Sequence, residues 1–249
     1  MARRLKHDIP GPDWRVEPEH LRERGVPGVF APELPRPEAV ELEIGYGRGE
    51  FLLDRAARHP RVGFLGVELS RRRHLKMARR LARTELSNVR LCRAPAEYLL
   101  AECLPAACVH RVWINFPDPW PKKRHHRRRL IQPAFVRELG RVLAPGGRLE
   151  VATDHPEYAA WISEVLAGAP GFVNLCAPRP FVPEVPGRPP TAYELEWRAE
   201  GRPLHFFRYR RAGPADREQA VRPGEARSAA PAGEDAGAQP APRSPASIG

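Results

Sequence analysis

The sequence predicts a doubly wound α/β fold built on a mostly parallel sheet, and three observations carry that expectation. Short apolar runs alternate with amphipathic, helix-length stretches from residue 40 to residue 209. The first apolar run ends in a glycine-rich turn. No metal-ligand spacing and no run of roughly 18 apolar residues points to another class. Strand–helix alternation is what βαβ units require, and such sheets hold ligands outside the carboxyl ends of their strands.

Val40 to Ile44 reads as the first strand and Glu50 to Arg58 as a helix with Phe51, Leu52 and Ala56 inward. Val62 to Leu69 reads as a buried strand, and Ser70 stands where an N-cap would start a helix running to about Leu86. Val89 to Cys92 is a short strand, Ala96 to Cys103 a helix and Val109 to Phe116 a strand. Pro133 to Leu143 is a helix, Pro145-Gly146-Gly147 a turn, Arg148 to Thr153 a strand and Pro156 to Leu166 a helix. Phe172 to Cys176 and Leu204 to Tyr209 complete seven candidate strands.

Residues 36–211 thus form one domain. Residues 1–35 are rich in Pro and charge and read as a flexible arm, on which Trp14, Leu21, Val29 and Phe30 are able to dock. Residues 212–249 hold six Pro, eleven Ala and no aromatic residue, too little apolar surface to offset the entropy of ordering, so they read as a disordered tail.

The net charge is +11. The tail is nearly neutral, so the excess sits in residues 1–211, and a protein this basic tends to meet a polyanion. Of 41 basic residues only Lys6, Lys76, Lys122 and Lys123 are lysines, leaving 37 arginines. A GC-rich genome accounts for Arg over Lys but less well for the net excess. Met1 to Trp14 is basic without an apolar core, so no secretory signal is expected. Cys92, Cys103, Cys108 and Cys176 form no CxxC pair, so neither zinc nor a disulfide framework is expected, and the expected setting is the reducing cytoplasm, away from membranes. A monomer and a homodimer are equally compatible with the sequence.

The first strand runs into Glu43-Ile44-Gly45-Tyr46-Gly47-Arg48-Gly49. The spacing is G-x-G-x-G, whereas dinucleotide sites use G-x-G-x-x-G and offer a helix N-terminus to a pyrophosphate. Glu43 at the mouth of the loop would repel a pyrophosphate and suits a cationic ligand, such as the amino-acid end of S-adenosylmethionine. Glu68 ends the second strand and is placed to accept from both hydroxyls of a ribose; the bland alternative is a helix-start acid facing the arginines Arg71 to Arg73.

After the fourth strand comes Asn115-Phe116-Pro117-Asp118-Pro119-Trp120-Pro121. Three prolines stiffen the backbone around one carboxylate and two aromatics. Asp118 can accept from the two adjacent donors of a guanine Watson–Crick edge, and Phe116 or Trp120 can stack on the base. The following run, Lys122 to Arg129, has six permanent cations in eight residues and is placed for phosphate contact.

The run from Asn115 to His126 resembles the signature of the bacterial tRNA (guanine-N7-)-methyltransferases. Thr153-Asp154 is similar to that family's Thr-Asp, and Thr191-Ala192-Tyr193-Glu194, with Trp197, Gly201 and Pro203 beyond, to its late Thr-x-aromatic-Glu segment. The resemblance covers roughly residues 36–210. It implies a Rossmann-like fold, S-adenosylmethionine as methyl donor and a variable-loop guanine of tRNA as acceptor. By the same resemblance Asp118 is the catalytic carboxylate, and Glu43, Gly45, Gly47, Gly49, Glu68, Ala94 and Asp118 face the cofactor. Lys122, Asp154, Thr191, Ala192, Tyr193 and Glu194 face the substrate. At one position the chain departs: the family's acidic or amide residue after the third strand is Ala94 here, followed by Pro95, with Glu97 three residues on. Asp154 has an equally simple alternative as the N-cap of the helix that Pro156 opens. Competing readings are a methyltransferase for another nitrogen of nucleic acid or protein, an RNA-binding module without catalysis, and a nicotinamide dehydrogenase, which the glycine spacing and Glu43 disfavour.

Overall fold

The structure, a computed structural model, describes residues 7–213 and Asp216. Nearly all of the expected 212–249 tail therefore lies outside the described residues. The chain forms β1 (Arg15–Val16), α1 (Pro18–Gly28), β2 (Ala39–Ile44), α2 (Glu50–Arg58), β3 (Val62–Val67), α3 (Arg71–Leu81) and β4 (Val89–Cys92). It continues through α4 (Ala96–Tyr98), which runs on as a π-turn (Leu99–Cys103), β5 (Val109–Asn115), a 3-10 turn (Lys123–Arg128), α5 (Pro133–Val142) and β6 (Leu143–Thr153). The last elements are α6 (Pro156–Ala167), β7 (Phe172–Asn174), α7 (Ala192–Ala199) and β8 (His205–Arg211).

One sheet has the order β1-β4-β3-β2-β5-β6-β8-β7, parallel except where β8 runs antiparallel between β6 and β7. The doubly wound expectation is met. Among the described residues the sheet has eight strands instead of the expected seven, because Arg15–Val16 pairs with Leu91–Cys92 at the sheet's edge. Two residues are too few to show a period of two. Burial on both faces explains why β3 reads as a continuous apolar run, with residues 63–67 all buried. The strand expected to start at Arg148 begins at Leu143: Val109 faces Leu143 and Arg111 faces Arg148, so the Pro-Gly-Gly turn sits inside β6 as a bulge.

The flexible-arm expectation is also corrected for residues 7–35, while residues 1–6 lie outside the described residues. Leu21, Val26 and Phe30 of the expected 1–35 arm are fully buried in the main core, and Arg90, itself buried, donates to the carbonyls of Val29 and Phe30 at 2.7 and 3.1 Å. Gly63 in β3 exists for this contact, since a Cβ there would lie 2.8 Å from the Phe30 ring. These apolar residues are spread among prolines and charges, so they build no periodic stripe.

The order reverses between β2 and β5, as the sheet grows from β2 through β3 to β4 on one side and from β5 to β6 on the other. At such a switch point the flanking loops diverge and leave a crevice outside the carboxyl ends of the strands. Glu43 and Asn115 stand at the rim of that crevice. No described helix is long and apolar enough to cross a membrane.

Candidate active site

The loop leaving β2 turns on Gly45, Gly47 and Gly49, whose φ values of 76°, 56° and 80° are left-handed. At Gly49 space is restricted as well, because a Cβ would come within 2.2 Å of Met77 Sδ on α3. Tyr46 turns inward and its hydroxyl shares a hydrogen bond of 3.0 Å with His74 Nδ1, tying the loop to α3. Burial pushes His74 down to about 4, so the ring is neutral in this bond.

Strand β2 buries two carboxylates on one face. Glu41 is satisfied by Arg55 at 2.6 Å, Arg111 at 3.2 Å and the Trp113 indole at 2.7 Å. Glu43, one pleat closer to the crevice, accepts from Asn115 Nδ2 at 3.0 Å through Oε1, while its buried Oε2 has no partner among the described residues. Desolvation raises Glu43 from its usual 4.5 to about 7, against the opposing pull of Asn115 and Arg188. A buried oxygen with nothing to accept from is rare in a folded protein and, with no donor among the described residues, suits a donor carried by a ligand.

Glu68 is held by the backbone: Oε2 accepts from Gly47 N at 3.1 Å and Oε1 from Ser70 N at 2.8 Å, with Arg73 3.9 Å away. Each carboxylate oxygen retains a second lone pair for a ligand hydroxyl. Beyond it a cleft of about 310 Å³ has an apolar wall formed by Ile44, Val67, Leu69, Ala94 and Pro95, with Glu97 at its edge. Leu69 is 62% exposed there, an apolar surface that the described residues leave largely uncovered. An adjoining cleft of about 340 Å³ shares Gly45, Asn115, Phe116, Pro117 and Asp118 with the first and is closed by Asp154, Thr191, Ala192, Tyr193 and Trp197. The residues present fit a ligand with an ammonium head, vicinal hydroxyls and a flat ring, lying across the switch point with its head at Glu43.

Asp118 is exposed where the two clefts meet and makes no hydrogen bond or ion pair among the described residues. Its neighbours hold the strain: Phe116 and Trp120 adopt φ of 53° and 44°, conformations bulky residues avoid. Phe116 packs edge-on against Trp197 at 4.8 Å, and Arg128 lies over the Trp120 ring at 5.0 Å. Lys122 opens the 3-10 turn on the exposed side. Asp154 is free of capping duty: His155 caps α6, its Nδ1 accepting from Tyr158 N at 3.3 Å, and among the described residues Asp154 reaches only Arg202 at 3.4 Å.

Three expected residues, Gly49, Lys122 and Glu194, line neither cleft. Glu194 is 3% exposed, and its carboxylate accepts from Arg188, from Arg198 at 3.0 Å and from Thr191 N at 3.4 Å, completing a capping box with Thr191 at the start of α7. Ala192 and Tyr193 face the cleft; Glu194 points the other way.

Two arginines escaped the sequence reading. Arg188 is buried between Phe51 and Phe206 and joins Glu194 to Asn115, donating to Asn115 Oδ1 at 2.6 Å. That bond fixes the amide so that its Nδ2 faces Glu43. Arg129, counted with the cationic run, is turned inward and donates to Pro119 O at 2.9 Å and to Glu157 at 3.1 Å. The flanking Gly187 and Pro189 were the only signal at Arg188, and inside a run of six cations nothing distinguishes Arg129.

With this geometry in hand, comparisons with known proteins are specific. Residues 37–207 match the profile of a family described as putative methyltransferase. The tRNA (guanine-N(7)-)-methyltransferase of Halorhodospira halophila is 42% identical over 191 residues, covering 76% of this chain and 81% of that protein. The enzyme of the same name from Geobacter metallireducens is 34% identical over 189 residues, covering 76% and 90%. Among solved structures, the 16S rRNA methyltransferase KamB superposes with a TM-score of 0.53 at 18% identity over 78% of this chain and 92% of that one. The 16S rRNA (adenine(1408)-N(1))-methyltransferase from Catenulisporales acidiphilia, solved with its cosubstrate SAM, gives 0.53 at 18% identity over 76% and 92%. Fold and crevice together define a Rossmann-like methyltransferase. Within that class, the chain belongs to the tRNA (guanine-N(7)-)-methyltransferase family.

Proposed function

We propose that this protein transfers the methyl group of S-adenosylmethionine to N7 of a guanine in the variable loop of tRNA. The unpartnered Glu43 Oε2 beside the glycine loop is the observation that carries the reading, and membership of the family supports the acceptor. Glu43 receives the ammonium of the cofactor's methionyl end, the backbone of Gly45, Gly47 and Gly49 permits its close approach, and Glu68 accepts from the ribose hydroxyls. Leu69 and Ala94 cover the adenine, with Glu97 able to receive the exocyclic amine. The bound cofactor supplies an electrophilic methyl on a sulfonium.

Guanine N7 carries a lone pair and needs no base, so the residues' task is alignment and charge stabilisation. Asp118 accepts from the guanine Watson–Crick edge, and its negative charge favours the positive charge that grows on the purine during transfer. Asp154 adds a second carboxylate from the opposite wall. Tyr193, backed by Trp197 at 5.5 Å and nearly parallel to it, offers an aromatic face beside the cleft. Thr191 and Ala192 shape the mouth, Lys122 meets a phosphate, and Glu194 acts through Arg188 as a positioning residue.

The test is methyl transfer from labelled S-adenosylmethionine to unmodified total tRNA, followed by nucleoside analysis. Label in 7-methylguanosine is expected; label in another nucleoside would break the acceptor assignment. Asp118→Asn is expected to lower turnover by about 100-fold or more while cofactor affinity stays within a few-fold. Turnover near that of the wild type would remove Asp118 from the chemistry.

A further inference from the structure

The catalytic clefts open on one side into a third depression of about 660 Å³ along α3, lined by Arg48, Arg72, Arg73, Lys76, Arg80 and Tyr193. Nothing in the family resemblance assigns this surface. Helix α3 carries Arg71, Arg72, Arg73, Lys76, Arg79 and Arg80 and no acidic residue over 71–81. Its own physics argues against that composition. Three arginines fill the first turn, at the positive end of the helix dipole, where an acid would be favourable. Arg72, Lys76 and Arg80 also follow one another at four-residue spacing, the arrangement in which like charges repel along a helix face.

Acidic neighbours relieve only part of this. Arg79 pairs with Asp8 at 2.9 Å, Arg80 with Glu50 at 3.2 Å, and Arg73 lies 3.9 Å from Glu68. Arg71, Arg72 and Lys76 are exposed and have no ion pair among the described residues. The depression is continuous with the cleft beneath α7: both are lined by Gly47, Arg48, Glu50, Arg73 and Tyr193. Where they join, the Arg48 guanidinium sits over the Tyr193 ring at 5.5 Å.

We infer that the α3 groove, with Arg72 and Lys76 at its centre, binds the phosphodiester backbone of the RNA on one flank of the target guanine, as a track separate from the Lys122–Arg128 segment. The inference rests on the function proposed above. A continuous polyanion leaving the guanine cleft past Tyr193 meets this row next, and it supplies the negative charge that the helix lacks. The Lys122–Arg128 segment flanks Trp120 on the Pro-Asp-Pro loop, whereas the α3 row adjoins the glycine loop. The two cationic surfaces thus reach the clefts from different elements.

The test compares wild type with the R72Q/K76Q double variant, both side chains being exposed and outside the clefts. The readouts are affinity for unmodified tRNA transcripts across salt, cofactor affinity and turnover at saturating tRNA. Removing two phosphate contacts is expected to flatten the slope of log affinity against log salt by about 1.4 to 1.8, so that raising salt from about 50 to about 200 mM costs the variant about tenfold less affinity than wild type. Tighter cofactor binding or altered turnover is not expected, and Arg72→Lys is expected to keep the wild-type slope. Unchanged tRNA affinity and slope in the double variant, with the wild type methylating tRNA, would overturn the groove alone. A wild type that neither binds nor methylates tRNA would overturn the substrate reading and the groove with it.

Discussion

Glu41 and Glu43 share a strand, a face and a buried setting, yet the first is saturated with donors and the second keeps an empty oxygen. The difference makes Glu43 a measurable liability without ligand. The folded protein holds its proton up to about pH 7, whereas the unfolded chain releases it near 4.5. The charged form therefore destabilises the fold increasingly as pH rises from 4.5 to 7, by up to about 3 kcal/mol above that range. Glu43→Gln is expected to unfold at higher denaturant than wild type near pH 8, the advantage shrinking as pH falls below 7, and to lose cofactor binding by about 100-fold. Wild-type cofactor affinity is expected to weaken below pH 7, where a proton competes with the ammonium. Calorimetric titration across pH checks both; a flat profile would mean that the carboxylate is already charged. An acid at the end of a first strand is legible in sequence, because its place beside the glycines says what it faces. Arg188 is not: a lone arginine between Gly187 and Pro189 looks like any solvated loop charge, and only the fold reveals that it lies between Asn115 and Glu194.

At the scale of elements, the Pro-Asp-Pro loop shows how strain is held. Left-handed Phe116 and Trp120 persist because Phe116 N donates to Ala152 O at 2.8 Å, Trp197 supports the Phe116 ring and Arg129 grips the Pro119 carbonyl. Arg129→Ala is expected to lower kcat/KM for tRNA by about tenfold or more, through a less ordered Asp118, while cofactor affinity holds within about twofold. If instead affinity for tRNA fell with turnover at saturation unchanged, Arg129 would be a phosphate contact after all. Elements with a clear period were readable in advance: α2 buries Phe51, Leu52 and Ala56 as its spacing implies. Strand β1 and helix α1 were not, since one is two residues long and the other mixes Pro and charge into its apolar positions. Phe30, which the sequence offered as a residue able to dock, is completely buried, and Phe30→Ala is expected to cost about 3–5 kcal/mol in urea denaturation.

Across the whole molecule, topology and charge act together. The switch point gathers Glu43 from β2, Asn115 from β5 and Asp118 from the loop after β5, and the segment between β7 and β8 returns to cover them with Thr191 to Trp197. Basic surfaces approach this one crevice from α3 and from the Lys122–Arg128 segment. Neutralising Lys122, Lys123 and Arg124 together is expected to weaken tRNA binding and to reduce the salt slope by about 2 to 3; an unchanged slope would leave that run as a solvated face. The sheet's alternation was plain in the sequence because each βα unit is local. The cover over the crevice was not, because it depends on contacts such as that between Asn115 and Arg188, 73 residues apart.

That separation has a consequence for the chain as it is made. Domains acquire structure from the N-terminal side during translation, so the glycine loop and Asn115 emerge well before Arg188 and Glu194. A nascent chain halted between β7 and α7 already owns most of the parallel sheet, but its Asn115 amide has no guanidinium to orient it and its crevice has no far wall. Prematurely terminated products are therefore expected to fail at methyl transfer even when compact and still able to hold RNA through α3 and the Lys122–Arg128 segment, and catalytic competence arrives only with the last fifth or so of the folded region.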